Sequence, residues 1–218
     1  MKSWMAVIGL PRLYGSSDLI LESQVSHVTP GAHLLSSWLI ANSFDLGRQE
    51  HRLVTLAGFI PDLDGMGLVM DRVNHLRHQE TFYYESYHHL FGHNLPAGVV
   101  IALVFSLIST RYKLKTMALS LLTFHLHLVC DLMGSKGPDG YHWPITYFYP
   151  FFPKLEMSWS GQWELNAWPN NVLLFLTLAT AILWSARQRY SLVEVFSSRL
   201  DEEIFSAIER RWPAKFVP

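Results

Sequence analysis

Long apolar stretches separated by short polar clusters dominate this chain of 218 residues. Residues 95–110 and residues 166–185 contain no charged side chain, and residues 116–133 form a third apolar run with few polar groups. Prolines near the starts of several runs suit the first turn of a helix, where the missing N–H costs nothing. The pattern predicts helices over residues 29–42, 48–60, 95–109, 116–133 and 166–185. We therefore expect an all-α fold, organised as a helical bundle.

The segments between and after these helices are more varied. Residues 67–80 are polar enough for an exposed helix or an irregular excursion. Residues 134–153 contain four prolines and many aromatic side chains, so they should form a long aromatic loop that roofs a pocket or rests on a membrane interface. In residues 191–212, apolar residues recur four apart with charges between them, which predicts an amphipathic helix. We expect one domain over residues 1–190, with the helix of residues 191–218 packed on it or on a partner.

Composition limits the class of protein. Hydrophobic residues make up 50% of the chain and charged residues 16%, whereas soluble domains average about 25% charged residues. The net charge of −1 gives no electrostatic argument for nucleic acid as a partner. A single cysteine excludes an internal disulfide and any cysteine-rich zinc module. Prolines shorten the apolar runs, so two interpretations stay open: buried core helices or membrane-embedded helices.

The most informative polar pair lies inside the third apolar run. His127 and Asp131 are four residues apart, so on a helix they share a face. A neutral imidazole and a carboxylate at this spacing can bind one divalent ion. A buried His–Asp hydrogen bond would also satisfy both groups and is the alternative.

Further candidate ligands lie earlier in the chain. His33 follows the start of the first predicted helix, which would hold its ring firmly. Asp62 and Asp64 lie in a Pro-Asp-Leu-Asp-Gly turn, where carboxylate oxygens suit a metal ion. An ordinary turn stabilised by aspartate is the alternative. His51, at the polar start of the second helix, is expected at the surface.

Three histidines fall within six positions directly before an apolar helix. Helical spacing would pair His89 with His93, whereas an irregular segment would favour His88 with His93. Because this cluster precedes the helix that starts near Pro96, with Asn94 or Leu95 as its cap, we expect it to contribute to a site.

Other polar residues are candidates for supporting or substrate-contacting roles. His125 lies on roughly the opposite side of its helix from the His127 ring. His142 lies in the aromatic loop and can reach a site that the loop covers. Glu164 precedes the last apolar helix.

The ordered motifs resemble the YdjM-type family of membrane-associated metal-dependent hydrolases. That family has an early helix histidine, a Pro-Asp-x-Asp turn, a His-x-x-x-x-His segment, and a His-x-x-x-Asp helix followed by a glycine-containing loop and a Pro-Phe dipeptide, here Pro150-Phe151. The resemblance covers residues 29–153 and selects His88 and His93. The family's His-Arg-Gly segment is replaced here by His88-His89-Leu90.

More distantly, the set is similar to the all-helical zinc-dependent phospholipase C and single-strand nuclease superfamily. The N-terminal ligand and final His-x-x-x-Glu of that superfamily have no clear counterpart here. The resemblance therefore implies one or two ions rather than three.

These resemblances imply a metal-dependent hydrolase in which activated water attacks an ester, such as a phosphate ester or phospholipid. The expected cofactor is Zn²⁺, with Mn²⁺ or Fe²⁺ as alternatives. We expect Asp64 to orient the water. The expected location is the inner (cytoplasmic) membrane, with the cytoplasm as the alternative, and the alternative function is a non-catalytic, metal-stabilised membrane-associated helical protein acting in protein interaction. The expected metal ligands are His33, Asp62, Asp64, His88, His93, His127 and Asp131.

Overall fold

The computed structural model describes residues 29–88, 90–137 and 140–212. These residues form α-helices, two short 3₁₀ helices (Ile60–Met66 and Leu192–Val195) and, in place of strands, two isolated β-bridges. The all-α prediction is confirmed. The α-helices are α1 (Thr29–Asn42), α2 (Arg48–Ala57), α3 (Gly67–Leu76), α4 (Tyr83–Tyr87), α5 (Leu95–Ile108), α6 (Lys113–Gly134), α7 (Trp168–Gln188) and α8 (Ser198–Arg211).

Local chemistry explains where α5 begins. The side chain of Asn94 accepts a hydrogen bond from the Ala97 backbone N–H at 2.8 Å, and Pro96 lies in the first turn. This satisfies one of the N–H groups that a helix start leaves without a partner. Asn94 is therefore the cap, one of the two residues predicted for that role.

Helix α1 packs against α2 and α7, α2 also packs against α6, and α6 packs against α5. Trp38 of α1 is completely buried beside Ala181 of α7. Phe124 of α6 is completely buried against Gly98 of α5, whose missing side chain lets the two helices approach closely. The bundle is thus held by apolar contacts along its length.

The helices run up and down, which gives the bundle two distinct ends. At one end, Glu50 accepts hydrogen bonds from Ser109 and from the backbone N–H groups of Thr110 and Arg111. The chain turns from α1 to α2, from α5 to α6 and from α7 to α8 at this end. The opposite end contains the start of α1 and of α7 and the last turns of α6, together with the 3₁₀ helix after α2.

Helix α2 is shorter than predicted, because it ends at Ala57 rather than at residue 60. The next residue, Gly58, approaches α1 so closely that a Cβ there would lie 1.9 Å from Ser37 Oγ and 3.2 Å from the Thr123 carbonyl oxygen. The chain then continues as the 3₁₀ helix, which turns the backbone away from the axis of α2.

Two further expectations need correction. His51 is buried rather than exposed, since its ring makes edge contacts with Trp38 and Tyr190. The segment of residues 191–212 is a 3₁₀ helix followed by α8 rather than one helix, because the Ser197 side chain caps α8 by accepting from the Leu200 N–H.

Two helices, α6 and α7, are long and apolar enough to cross a membrane, and a third candidate arises if α2 and the bent segment up to Leu76 are taken together. At 21 residues, α7 is about 30 Å long, which matches the thickness of the hydrocarbon core of a bilayer. Very little of its apolar stretch is covered by protein. Side chains such as Phe175, Leu176, Ile182 and Leu183 are largely exposed, so this surface suits lipid rather than water.

We predict that Gly98→Leu lowers the midpoint of thermal unfolding of the detergent-solubilised protein. A Cβ at this position would lie 2.7 Å from the buried Phe124 ring, and overpacking of this kind costs about 1–3 kcal/mol. Gly31→Ala is the control, since among the described residues no atom outside its own helix turn lies within 4 Å of the added Cβ. An unchanged midpoint for Gly98→Leu would show that α5 and α6 do not pack as described.

Candidate metal centre

Five His and Asp side chains converge at the end of the bundle where α1 and α7 start. The first comes from the second turn of α1, one from the 3₁₀ helix, one from the residue before the α5 cap, and two from the last turns of α6. Their ligand atoms form overlapping groups with separations of 4.8 Å or less. The residues brought together are His33, Asp62, His93, His127 and Asp131.

Three ligand atoms form a nearly equilateral triangle at the centre of this cluster. Asp131 Oδ2 lies 3.0 Å from His127 Nε2 and 3.2 Å from His93 Nε2, and the two nitrogens are 3.2 Å apart. Adjacent ligands of an ion with bonds of about 2.0–2.1 Å lie about 3.0–3.4 Å apart. The triangle therefore has the size of one face of a metal coordination shell.

The other ring nitrogens fix the orientation of both imidazoles. His127 Nδ1 donates to the Gly58 carbonyl oxygen at 2.8 Å, and His93 Nδ1 donates to Asp64 Oδ2 at 2.9 Å. Each neutral ring therefore presents the lone pair of Nε2 to the centre of the triangle. Two N–H groups cannot face each other at 3.2 Å, so these three atoms can share one cation, either a metal ion or a proton held between the rings and the Asp131 carboxylate.

His33 and Asp62 extend the cluster on one side. His33 Nε2 lies 3.2 Å from Asp131 Oδ1, and its ring lies against that of His127 with centroids 3.9 Å apart. Asp62 Oδ1 lies 3.7 Å from His127 Nε2, while Asp62 Oδ2 is buried and accepts no hydrogen bond within the part of the chain that the structure describes. An acceptor in that situation is costly unless a cation or water meets it.

Electrostatics at the site favour positive charge. Burial opposes protonation of His93, but the carboxylates of Asp131 and Asp64 outweigh burial and raise its pKa to about 9. Burial likewise opposes protonation of His33, yet Asp131 raises its pKa to about 10. The same carboxylates, added to burial, raise the pKa of the nearby Tyr84 hydroxyl, which stays protonated. The cluster thus attracts cations, whether protons or metal ions.

Asp64 lies on the Nδ1 side of His93, outside the triangle. Its two oxygens accept hydrogen bonds from His88 Nδ1 at 2.8 Å, from His93 Nδ1 at 2.9 Å and from the Gly92 N–H at 2.9 Å. A Cβ at Gly92 would lie 2.6 Å from the Pro61 carbonyl oxygen and 3.1 Å from Asp64 Oδ2, so glycine permits this arrangement.

A second set of ligand atoms is available beside the triangle. Asp64, His88 and His93 also have ligand atoms close enough for one ion, through the Nδ1 atoms. His93 as a neutral ring can serve only one of the two sets, since only one of its nitrogens has a lone pair. The expected water-orienting role of Asp64 stays a prediction.

The supporting residues predicted from the sequence lie outside these groups. His125 donates to the Leu121 carbonyl oxygen and accepts from the Tyr147 hydroxyl, which uses both its nitrogens. His142 is partly buried in the aromatic loop, and Glu164 is exposed. His89 lies outside the described residues.

Several residues that hold the site were not predicted. The Gly58 carbonyl is one, and a backbone oxygen leaves no signal in a sequence. Gln162 is another: it is buried, donates to the Asp131 carbonyl oxygen at 3.0 Å and accepts from the Trp143 N–H at 3.1 Å. It thereby ties the aromatic loop to the end of α6. Tyr84 stacks on His88 with centroids 4.5 Å apart, and a lone tyrosine gives no hint of that contact.

A cavity of about 220 Å³ adjoins the cluster between α1, α6 and α7. His33, Asp131 and Cys130 line one side. The other side combines polar groups and leucines from the segment that leads into α7, so the cavity is amphipathic. Those residues are Leu165, Asn166, Asn170, Asn171, Leu173 and Leu174.

Comparisons with known proteins were made on the whole sequence. A family model described as "YdjM inner membrane protein" matches residues 23–198, which include every residue of the cluster. Comparison with curated proteins and with solved structures returned no match. The resemblance to the YdjM family that the ordered motifs indicated is therefore confirmed.

Proposed function

This chain belongs to the YdjM inner membrane protein family, and from this premise we propose that it is a metal-dependent hydrolase that cleaves an ester at the membrane. The observation that carries the proposal is the triangle of His93, His127 and Asp131, in which the Nδ1 atoms of both rings are hydrogen-bonded outside the triangle and both Nε2 atoms face inward. The alternative, a buried hydrogen bond between His127 and Asp131, involves only two groups and does not account for the third nitrogen, that of His93, at the same point.

His93, His127 and Asp131 would hold the ion, with His33 and Asp62 as further ligands. Three imidazoles and two carboxylates suit Zn²⁺, with Mn²⁺ and Fe²⁺ as alternatives. We assign Asp64 a positioning role, because both of its oxygens are used by the histidines and by the Gly92 N–H. Such outer partners typically contribute 10–100-fold to metal affinity or activity.

An ion bound at these residues would supply Lewis acidity and lower the pKa of water toward about 7. Asp62 Oδ2 accepts no hydrogen bond from the described residues, so we assign to Asp62, in place of Asp64, the role of orienting the water and also that of accepting its proton. In hydrolysis, the oxygen of water bonds to the ester centre, the ester bond breaks, and a proton passes to the leaving oxygen. A phosphate ester as substrate rests on the analogy with the phospholipase C superfamily.

A non-catalytic metal site is the second candidate. If all five side chains bound one ion, no position would be left for water, as in structural sites. The adjoining cavity favours the hydrolase instead, because it gives access to His33 and Asp131.

Metal content tests the site itself. We expect the purified protein to contain close to one equivalent of a transition metal by elemental analysis, and His127→Ala or Asp131→Asn to lose it. His125→Ala is the matched control on the same helix, since both nitrogens of His125 are used by Leu121 and Tyr147 and not by the cluster. Metal loss in the control as well, or metal retained in both site variants, would contradict this assignment.

Activity separates the hydrolase from the structural alternative. With Zn²⁺ or Mn²⁺ added, we expect hydrolysis of a phosphomonoester, phosphodiester or phospholipid. We expect Asp62→Asn to abolish turnover while the metal content and the unfolding midpoint are retained, since it keeps a ligand oxygen but removes the proton acceptor. Asp64→Asn should reduce activity or metal affinity about 10–100-fold. If Asp62→Asn keeps full activity, Asp62 is not the proton acceptor; if no ester is cleaved by the metal-loaded protein, the site is structural.

A further inference from the structure

The distance of the site from the end of α6 indicates how deep in the membrane the site lies. His127 and Asp131 lie seven and three residues before Gly134, the last residue of this candidate span. At 1.5 Å per residue, they lie about 10 Å and about 5 Å from its end. The site therefore lies near the membrane surface rather than at the bilayer centre. Phospholipid headgroups and their ester bonds lie at about this level.

The aromatic loop supports this depth. Phe151 and Phe152 of the loop and Trp168 at the start of α7 are 63–75% exposed. They are at the same end as the cluster. Exposed aromatic side chains at one level are typical of a membrane–water interface.

The cavity is lined on one side by α7, the candidate span with the most exposed apolar surface. Leu173 and Leu174 line it from α7, and Leu173 is itself 40% exposed. At about 220 Å³, the cavity is smaller than ordinary ligand pockets of about 300–1,000 Å³. It can enclose a headgroup but not a whole lipid, so the acyl chains would lie outside, along α7.

We propose that the substrate is a membrane phospholipid, which enters laterally past Leu173 and places its headgroup phosphate in the cavity beside His33 and Asp131. This deepens the proposed hydrolase function by naming its substrate class. Asn166 and Asn171 provide polar contacts at the headgroup level, and the exposed leucines of α7 contact the acyl chains.

Cys130 provides a test that does not depend on turnover, because it lines the cavity and is the only cysteine in the chain. The full chain is reconstituted in vesicles of phosphatidylethanolamine and phosphatidylglycerol. We expect a long-chain alkyl maleimide, which partitions into the bilayer, to label Cys130 faster than a sulfonated, water-borne maleimide. Hexadecylphosphonate in the vesicles should suppress the labelling, whereas inorganic phosphate should not.

Leu173→Trp should slow labelling by the alkyl reagent, because it narrows the entrance. Leu178→Trp is the matched control, an exposed leucine of α7 that does not line the cavity. Faster labelling by the sulfonated reagent, no labelling by either, equal protection by inorganic phosphate, or equal effects of both variants would overturn the proposal. Labelling as expected without hydrolysis of any ester would instead count against the proposed function alone.

The distribution of basic side chains indicates the orientation of the bundle in the membrane. In the described residues, lysines and arginines concentrate at the end away from the cluster, around the start of α2 and α6 and the end of α7. Those at that end are Arg48, Arg52, Arg111, Lys113, Lys115, Arg187, Arg189, Arg199, Arg210 and Arg211. Those at the end with the cluster are Arg72, Arg77, Lys136 and Lys154.

Contacts at the basic end join its segments, since Lys115 Nζ donates to the Asp45 carbonyl oxygen and Arg52 pairs with Glu194. Loops rich in lysine and arginine stay in the cytoplasm. From this asymmetry we infer that the basic end faces the cytoplasm, so that the cluster and its cavity open toward the outer leaflet of the inner membrane. Lipids of the outer leaflet would then be within reach.

Labelling of single cysteines in a Cys130→Ala background tests this orientation. Ser158, which follows the aromatic loop, and Ser206 in α8 are both exposed and lie at opposite ends. In intact spheroplasts, a membrane-impermeant maleimide should label Ser158→Cys at once and Ser206→Cys only after lysis. The reverse pattern, or equal labelling of both before lysis, would overturn the orientation.

Discussion

The carboxylate of Asp131 is the group on which the rest of the structure depends. It is almost completely buried on a helix that is apolar enough to cross a membrane, where an unpaired charge would be strongly unfavourable. Three histidine nitrogens, from His33, His93 and His127, lie within 3.2 Å of its two oxygens. Each comes from a different segment, so the charge of one side chain links α1, α6 and the residues before α5.

The Nδ1 atoms of the rings have to be fixed by hydrogen bonds, because imidazole rings can otherwise turn and exchange their tautomers. The Gly58 carbonyl holds His127 and the Asp64 carboxylate holds His93. Both restraints depend on glycines: Gly58 allows α2 to end tightly against α1, and Gly92 allows the chain to pass over the 3₁₀ helix. The polar geometry of the site therefore depends on the packing around it, because an added methyl group at Gly58 or Gly92 would collide with its neighbours and shift the groups that hold the two rings.

The sequence was sufficient for the long helices of the bundle and for most of the residues that converge at the cluster, but not for their individual roles. His127 and Asp131 follow from helical spacing, whose geometry is known in advance. The roles of Asp62 and Asp64 could not be assigned from the sequence, because the directions of their side chains depend on the 3₁₀ helix. With three residues per turn, side chains two positions apart point to different sides of such a helix. His51 was wrongly expected at the surface, since a polar neighbourhood in sequence did not reveal the aromatic rings of Trp38 and Tyr190 that cover it.

The membrane also explains why a site of this polarity lies at the end of a span instead of its middle. Helix α6 is buried in the bundle along part of its length, whereas α7 has lipid-facing side chains almost throughout. A cluster of histidines and aspartates near the bilayer centre would need more protein around it than these helices provide. Near the last two turns of α6, Trp143 of the aromatic loop lies against His88, and Gln162 joins that loop to the helix end. The helix can therefore present apolar side chains along most of its length and carry the polar cluster in its final turns.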